Sequence, residues 1–385
     1  MTTQHAPLNG VVVISVEQAV SASYASRHLA ELGATVIKIE RPEGDFARAY
    51  DSVVNGQASF FVWANRGKQS LVLNLKNETD LATFHALVRG ADIVIQNLAP
   101  EASVRLGING EALRLETPYL ITCDISGYGV GGPRSSDRAY DLAIQAEAGI
   151  FSVTGNDEMS KAGISVADIS AGMYALTSIL AALVRRDRTG EGAHIDVAMI
   201  DTVAEWVAPA MYGTVYARQQ PARTGRRHHS IAPYGTFTLS DGSTILIAVQ
   251  NDREWQRLAS SVLNDPALAT DVDLATNEGR IANVERLERA MNAILADRNA
   301  TMIRELLNKQ EITSANVNDL HGVWNHEQLR ARERFENIEI PNGSAEVLKS
   351  PFHISNWNNQ TGGIPALNDH DEKTIAQIIA RGEAR

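Results

Sequence analysis

The sequence predicts an α/β protein in which a large domain, built on a doubly wound, Rossmann-like parallel sheet, is joined to a smaller α+β domain. Three observations carry this. Short β-rich runs alternate with helical patterns through the first two hundred residues. Those runs are continuously apolar, as strands covered on both faces are. From about residue 221 the texture changes to a basic connector followed by a hairpin signal. At 385 residues the chain is long for one core. The expected layout is 1–220 plus about 330–385 for the large domain and about 221–329 for the small one.

The elements follow in order. Residues 11–16 read as a buried strand, 21–32 as a helix that Gly33 ends, and 35–40 as a second strand. A third strand is expected at 71–75, a helix at 78–89, a fourth strand at 92–96 and a fifth at 120–126. A long helix at 168–186 stops at Thr189-Gly190, and a strand resumes at 194–198. Beyond the connector, strands at 235–238 and 244–249 flank the turn Ser240-Asp241-Gly242. Helical patterns then cover 254–263, 281–295 and 300–307.

Composition narrows the function. Hydrophobic residues make up 44% and charged residues 21%, ample for a buried core and ordinary for a soluble protein. A net charge of −11 argues against nonspecific nucleic-acid binding, while leaving room for a local cationic cluster on an anionic ligand. The one cysteine, Cys123, lies in an apolar run and reads as an inert strand residue, with no disulfide or cysteine-based zinc spacing open to it. The first residues lack a basic region followed by an apolar one, and no apolar run approaches membrane-spanning length. The expectation is a cytoplasmic protein without membrane partners.

Asp168 is chemically the most informative residue. It is the lone charge in Ala162-Gly163-Ile164-Ser165-Val166-Ala167-Asp168-Ile169-Ser170-Ala171-Gly172, which leads into an apolar helical stretch. A helix N-terminus there would favour its ionised form. A partly desolvated carboxylate with no cationic neighbour in sequence suits a nucleophile; the same position also suits a helix cap. The run Gly127-Tyr128-Gly129-Val130-Gly131-Gly132 has the spacing of a dinucleotide loop, but Pro133-Arg134-Ser135 follows where that fingerprint needs a helix. It reads as a glycine loop near a site.

Several further runs form a set. They are Leu8-Asn9-Gly10-Val11-Val12-Val13, Leu32-Gly33-Ala34-Thr35-Val36-Ile37-Lys38-Ile39-Glu40-Arg41-Pro42 and Asn65-Arg66-Gly67-Lys68-Gln69-Ser70. Asn97-Leu98-Ala99-Pro100, Arg105-Leu106-Gly107, Ser126-Gly127-Tyr128-Gly129, Ala139-Tyr140-Asp141, Asp168 with Gly172, and Arg185-Arg186 through Thr189-Gly190 complete it. In this order and spacing the set resembles the family III CoA-transferases, a group that includes formyl-CoA transferases, carnitine CoA-transferases and α-methylacyl-CoA racemases. The resemblance implies that Asp168 attacks an acyl-CoA thioester, giving an acyl–aspartyl anhydride and a retained CoA thiolate. The thiolate returns to form an aspartyl–CoA thioester while donor acid is exchanged for acceptor acid. Small neighbours Gly163, Ala167, Ala171 and Gly172 leave room for the thioester, and N–H groups of a glycine loop suit the developing oxyanion.

The same resemblance implies CoA contacts at Gln18, Ala19, Arg41, Leu73, Lys76, Asn97, Leu98, Arg105, Arg138 and Tyr140. CoA is then a co-substrate, with no permanently bound cofactor and no metal. Arg41, Lys76, Arg105 and Arg138 suit its phosphates, although Lys76 and Arg138 equally suit solvated surface charges. Asp141 orients the catalytic region or caps the helical pattern 142–148. A racemase needs two proton carriers about the α-carbon, and that branch has histidine before the aspartate aligned with Asp141. Here the position is Tyr140, a poor base at neutral pH, which favours transfer. A CoA-binding or assembly protein is the non-enzymatic alternative.

Departures from the family pattern are Ser23, Glu101, Leu367-Asn368-Asp369-His370 and the lack of a glycine-rich lid run after residue 210. Arg223, Arg226, Arg227, His228 and His229 cluster in the connector. They suit the distal carboxylate of a short dicarboxylic acid, or else a solvated loop or a dimer contact. The resemblance further implies an interlocked homodimer.

Overall fold

The computed structural model describes residues 6–357 and 361–385, so most of the N-terminus read for a leader lies outside the described residues. Six strands form one sheet: β1 (Val12–Val16), β2 (Thr35–Glu40), β3 (Gln69–Val72), β4 (Ile93–Gln96), β5 (Ile121–Ser126) and β6 (Ala193–Ala198). Their order is β3-β2-β1-β4-β5-β6, and every pairing is parallel. This is the Rossmann strand order, with its topological switch between β1 and β4. The expected third strand sits two residues earlier than its apolar run, because Gln69 and Ser70 complete the pairing with Ile37 and Lys38.

The helices here are α1 (Ser21–Glu31), α2 (Ser59–Ala64), α3 (Glu78–Gly90), α4 (Pro100–Leu106), α5 (Gly110–Glu116), α6 (Asp141–Glu147), α7 (Ile150–Val153), α8 (Val166–Thr189) and α9 (Met199–Ala217). Successive strand side chains leave the sheet on opposite sides. Val13, Ile93, Ile95 and Cys123 pack with α1 and α8, while Val12, Ile14, Ile37 and Val94 pack with Phe84 and Leu87 of α3 and with Ile375 and Ile378 of the last helix, Glu372–Glu383. The sheet is therefore covered on both faces, as its apolar strands require.

Helix α8 is long and apolar enough to cross a membrane by length and composition, contrary to the reading that no apolar run approaches that length. Half of its apolar window is buried here, against α1 and the sheet. A Cβ at Gly172 would lie 2.7 Å from the Ser21 carbonyl oxygen, so only glycine allows this helix crossing. Ala167, Ala171 and Gly172 are thus consumed by packing. Their smallness serves the helix interface rather than a thioester, which corrects the steric reading.

The chain divides into two compact units. One comprises residues up to Ile150, Lys161–Met211 and Arg330–Arg385; the other comprises Phe151–Ser160 and Tyr212–Leu329. The second unit holds an antiparallel sheet of β7 (Tyr234–Thr238), β8 (Thr244–Ala248) and β9 (Thr313–Asn316). Its core gathers Trp255, Leu287, Met291, Leu295, Ile303 and Leu307. In the first unit, β10 (Phe335–Ile340) and β11 (Gly343–Leu348) form a hairpin. Farther on, Asp369 and Asn368 accept the Ser70 and Val72 N–H groups along the free edge of β3. The divergent Leu367-Asn368-Asp369-His370 run therefore closes an otherwise unpaired sheet edge.

Candidate active site

Asp168 is the third residue of α8, whose N-cap residue Ser165 makes no side-chain cap bond. The cap comes instead from Asp141, the first residue of α6. Its Oδ1 accepts the Ala167 N–H at 2.8 Å and the Asp168 N–H at 3.3 Å. Gln145 Nε2 donates to Asp141 Oδ2 at 2.7 Å and to the Ile164 carbonyl at 3.2 Å, and Gln145 Oε1 accepts the Ala162 N–H at 2.9 Å. Asp141 therefore caps a helix remote in sequence and not its own, contrary to the expected cap of 142–148: α6 has no side-chain cap bond.

That leaves the Asp168 side chain free of a capping duty. Burial, reinforced by the Asp141 charge, pushes its carboxyl up to about 7 from 3.8. The sequence expectation had the helix end holding Asp168 ionised. Desolvation and a like charge outweigh a dipole worth ~0.3–1 kcal/mol, because Asp141 already occupies the N–H groups through which the dipole acts. A carboxylate of raised basicity is the stronger nucleophile once ionised. Beside it, burial and the charges of Asp45 and Asp168 push the Tyr50 phenol up, which places Tyr50 in the field of both. Tyr50 escaped the sequence reading; its only signal is the aromatic run Tyr50, Phe60, Phe61, Trp63 in a stretch without strand pattern.

A cleft of about 770 Å³ opens at the carboxyl ends of β1, β2 and β4, where ligands sit in such sheets. Gln18, Arg41, Leu73, Lys76, Leu98 and Arg105 all line it. Asn97 lies behind them: its Oδ1 accepts the Gln18 N–H at 2.9 Å and its Nδ2 donates to the Gln18 carbonyl at 2.9 Å. Ala19 has a φ of +56, and its N–H goes to Asp45 Oδ1 at 3.1 Å. Arg41, Lys76 and Arg105 are exposed cations, suited to phosphate groups. Arg138 and Tyr140 are exposed and absent from this lining; they flank Asp141 instead.

Beneath the cleft is an ion cluster that sequence reading missed. Glu17 Oε1 takes Lys38 at 3.2 Å and Lys68 at 2.5 Å, and Lys38 also bonds Asp45 at 2.8 Å. All four side chains are buried. Burial opposes the Glu17 charge, but Lys68 and Lys38 hold its carboxyl well below the usual range. Ser23, the departure from the family pattern, offers Oγ to Lys38 and its carbonyl to Lys68. The available signal was Lys38 itself, a cation inside an apolar strand.

In the glycine loop after β5, Gly129 N–H goes to Ser126 and Val130 N–H to Asp196. Those donors serve the loop, not an oxyanion, and no helix opens before α6. Cys123 is buried in β5, where burial pushes its thiol up, so it is no nucleophile. Among the described residues, no group of three His, Cys, Asp or Glu is placed to hold a metal ion. Within the second unit, Arg227 pairs with Glu288 at 3.2 Å and Arg223 donates to the Asn156 and Asp157 carbonyls. His228 stacks on His229 and Tyr234, and Arg226 lines a small cavity with Arg223 and Arg227.

Comparison with known proteins agrees with this geometry. The chain is 34% identical to an acetyl-CoA:oxalate CoA-transferase of Acetobacter aceti, over 98% of this chain and 97% of that protein. It is 31% identical to a succinate–glutarate CoA-transferase of Agrobacterium fabrum, over 98% and 97%, and 30% identical to a succinyl-CoA:mesaconate CoA-transferase of Haloarcula hispanica, over 94% of each. The crystal structure of a CAIB/BAIF family protein from Brucella suis superposes with a TM-score of 0.88 at 31% identity, covering 97% of this chain and all of that one. The family model for CoA-transferase family III matches residues 8–371. This chain belongs to that family and is a CoA-transferase.

Proposed function

We propose that the protein transfers CoA between an acyl-CoA and a free short dicarboxylic acid through covalent intermediates on Asp168. One observation carries the reading: the Asp168 carboxyl is partly buried at the start of α8, relieved of capping by Asp141 and made more basic by its surroundings. An Asp168 oxygen attacks the thioester carbonyl and the C–S bond breaks, leaving an acyl–aspartyl anhydride and CoA thiolate. The thiolate attacks the aspartyl carbonyl, releasing the donor acid and forming an aspartyl–CoA thioester. The acceptor carboxylate then displaces the thiolate to give a new anhydride. Thiolate attack on its acyl carbonyl yields the new acyl-CoA and frees Asp168.

In this reading CoA is a co-substrate lying in the cleft of Gln18, Arg41, Leu73, Lys76, Leu98 and Arg105, its phosphates on the exposed cations. Asn97 and Asp45 hold the Gln18-Ala19 turn. Arg138 and Tyr140, beside Asp141, lie on the catalytic side. The relatives named above act on oxalate, glutarate and mesaconate, which supports a dicarboxylic acceptor. We also propose that the active form is a homodimer.

The test is a panel of acyl-CoA donors and free acids with mass detection of new thioesters. Asp168→Ala should abolish exchange while remaining folded, and hydroxylamine should trap wild-type protein preincubated with acyl-CoA. Near-wild-type turnover by the alanine variant, or kinetics that demand both substrates bound at once with no adduct on Asp168, would refute the covalent route.

A further inference from the structure

The floor of the cleft at the carboxyl ends of β1, β2 and β4 is ionic and dry. Glu17 and Asp45 line the cleft, and both lie buried with Lys38 and Lys68. Two carboxylates thus face two ammonium groups, while Glu40, which accepts the Asp45 N–H, is matched by Arg48 at 2.7 Å. The two lysines are not held alike. Lys38 meets two carboxylates, Glu17 Oε1 at 3.2 Å and Asp45 Oδ2 at 2.8 Å. Lys68 meets Glu17 Oε1 at 2.5 Å, the oxygen that Lys38 also uses. Its other acceptors are neutral: the Ser23 carbonyl of α1 at 2.9 Å and Asn65 Oδ1 after α2 at 3.0 Å. The charged groups facing Lys68 are Glu17 after β1, Lys38 on β2 and Asp45 beyond β2; Arg66, from its own segment, turns to Glu31. Burial, with the Lys38 charge beside it, outweighs Glu17 and pushes the Lys68 ammonium down to about 7.

Resting on the reading of this cleft as the CoA site, we infer that Lys68 is a positioning residue whose proton is linked to CoA: the cleft holds the coenzyme well while Lys68 is charged, and binding draws a proton onto Lys68 from solvent. With that proton the floor is neutral beneath Arg41, Lys76 and Arg105. Without it, Glu17 and Asp45 face Lys38 alone, and the floor carries a net negative charge under a ligand with several phosphate charges. Buried charge is weakly screened by salt. One unit charge about 10 Å from a phosphate, at an effective dielectric constant of about 20, is worth about tenfold in affinity. Glu17 also directly precedes Gln18, whose backbone Asn97 fixes from both sides, so the change is delivered at the turn that faces the ligand. The coupling is reciprocal: the affinity that proton loss removes from CoA, CoA returns as proton affinity at Lys68.

The experiment is calorimetric titration of free CoA, which binds without turnover, at several pH values in buffers of different ionisation enthalpy. Wild type should bind CoA about tenfold more weakly at about pH 9 than at about pH 6, and take up about half a proton near about pH 7.5. Phosphates settling on arginine would release protons instead, so the sign separates the two sources. Asp168→Asn removes the other group that titrates at about 7 and should keep the uptake. Lys68→Met should bind weakly with no such pH dependence. Lys68→Met/Glu17→Gln, whose floor is neutral again, should regain affinity but not uptake. Uptake lost in Asp168→Asn, or unchanged in Lys68→Met, overturns the linkage while CoA binding stands; the Asp168→Asn arm does so without any change at Lys68. Wild type that binds no CoA overturns the reading of the cleft and this inference with it.

Discussion

Replacing Asp168 by asparagine should stabilise the protein, and increasingly so as pH rises. The isosteric amide keeps the shape and cannot ionise. In the folded protein the Asp168 carboxyl titrates at about 7 rather than 3.8, a separation of about three in pKa, worth ~1.4 kcal/mol per pH unit. The sign follows from proton binding. Below the unfolded value both states hold the proton and the group is neutral towards stability. As pH rises towards 7 the unfolded chain releases its proton while the folded one retains it, so the wild type loses stability with pH. Above 7 the full cost is present, with a ceiling of about 4 kcal/mol, because the ionised carboxylate must sit in a site that favours the acid.

About 2 kcal/mol of that ceiling accrues between about pH 5.5 and about pH 8.5. Urea unfolding of wild type and Asp168→Asn at several pH values across this window measures it directly. The two stability curves should diverge, with the variant on top at the alkaline end. Parallel curves would mean that Asp168 is ordinarily solvated and acidic. That result would remove the physical basis for treating it as an activated nucleophile.

Asp141→Asn keeps an oxygen for the Ala167 and Asp168 N–H groups but removes the charge, so the acid limb of kcat/KM should move below about 7; a pH–rate profile checks it. Arg41→Gln and Arg105→Gln should each raise KM for acyl-CoA about tenfold with kcat little changed, read by steady-state kinetics with the acid saturating. Lys38→Met leaves Asp45 and Glu17 short of a cation in a dry site and should cost ~3–5 kcal/mol in urea unfolding. Adding Asp45→Asn should recover part of that loss.

The doubly wound sheet was legible because its strands are short apolar runs at βαβ spacing, a local signal. Three kinds of feature were not. Helix α9 contains Pro209 and Gly213, which read as breakers, yet the proline is tolerated on an exposed stretch. The expected helix at 281–295 is interrupted at Asn283, giving Asn277–Ala282 and Val284–Leu295. Above all, Asp168 was found from its small, uncharged neighbourhood, but its chemistry depends on Asp141, 27 residues away for the Asp168 N–H bond. No periodicity encodes that distance. Arg41, Lys76 and Arg105 converge on one cleft because the segments after β2, β3 and β4, the last of them helix α4, meet at the carboxyl ends of the sheet, which only the strand order reveals.

The same device recurs at the Gln18-Ala19 turn and at the start of α8. Asp45 accepts the Ala19 N–H and the Ala47 N–H, while Lys38 holds its other oxygen. Asp141 accepts the Ala167 and Asp168 N–H groups, while Gln145 holds its other oxygen. In each case a carboxylate from one segment fixes the backbone of another. Each carboxylate is in turn fixed by a buried donor. A left-handed Ala19 costs ~1–2 kcal/mol on its own and persists because Asn97 and Asp45 over-determine the turn. Buried charges are a poor way to gain stability, since well-packed apolar residues do as well or better. Glu17, Lys38, Lys68 and Asp45 are therefore better explained by what they hold still: the backbone that presents Gln18 to the cleft. Loss of this cluster should thus register in the affinity for acyl-CoA before it registers at Asp168.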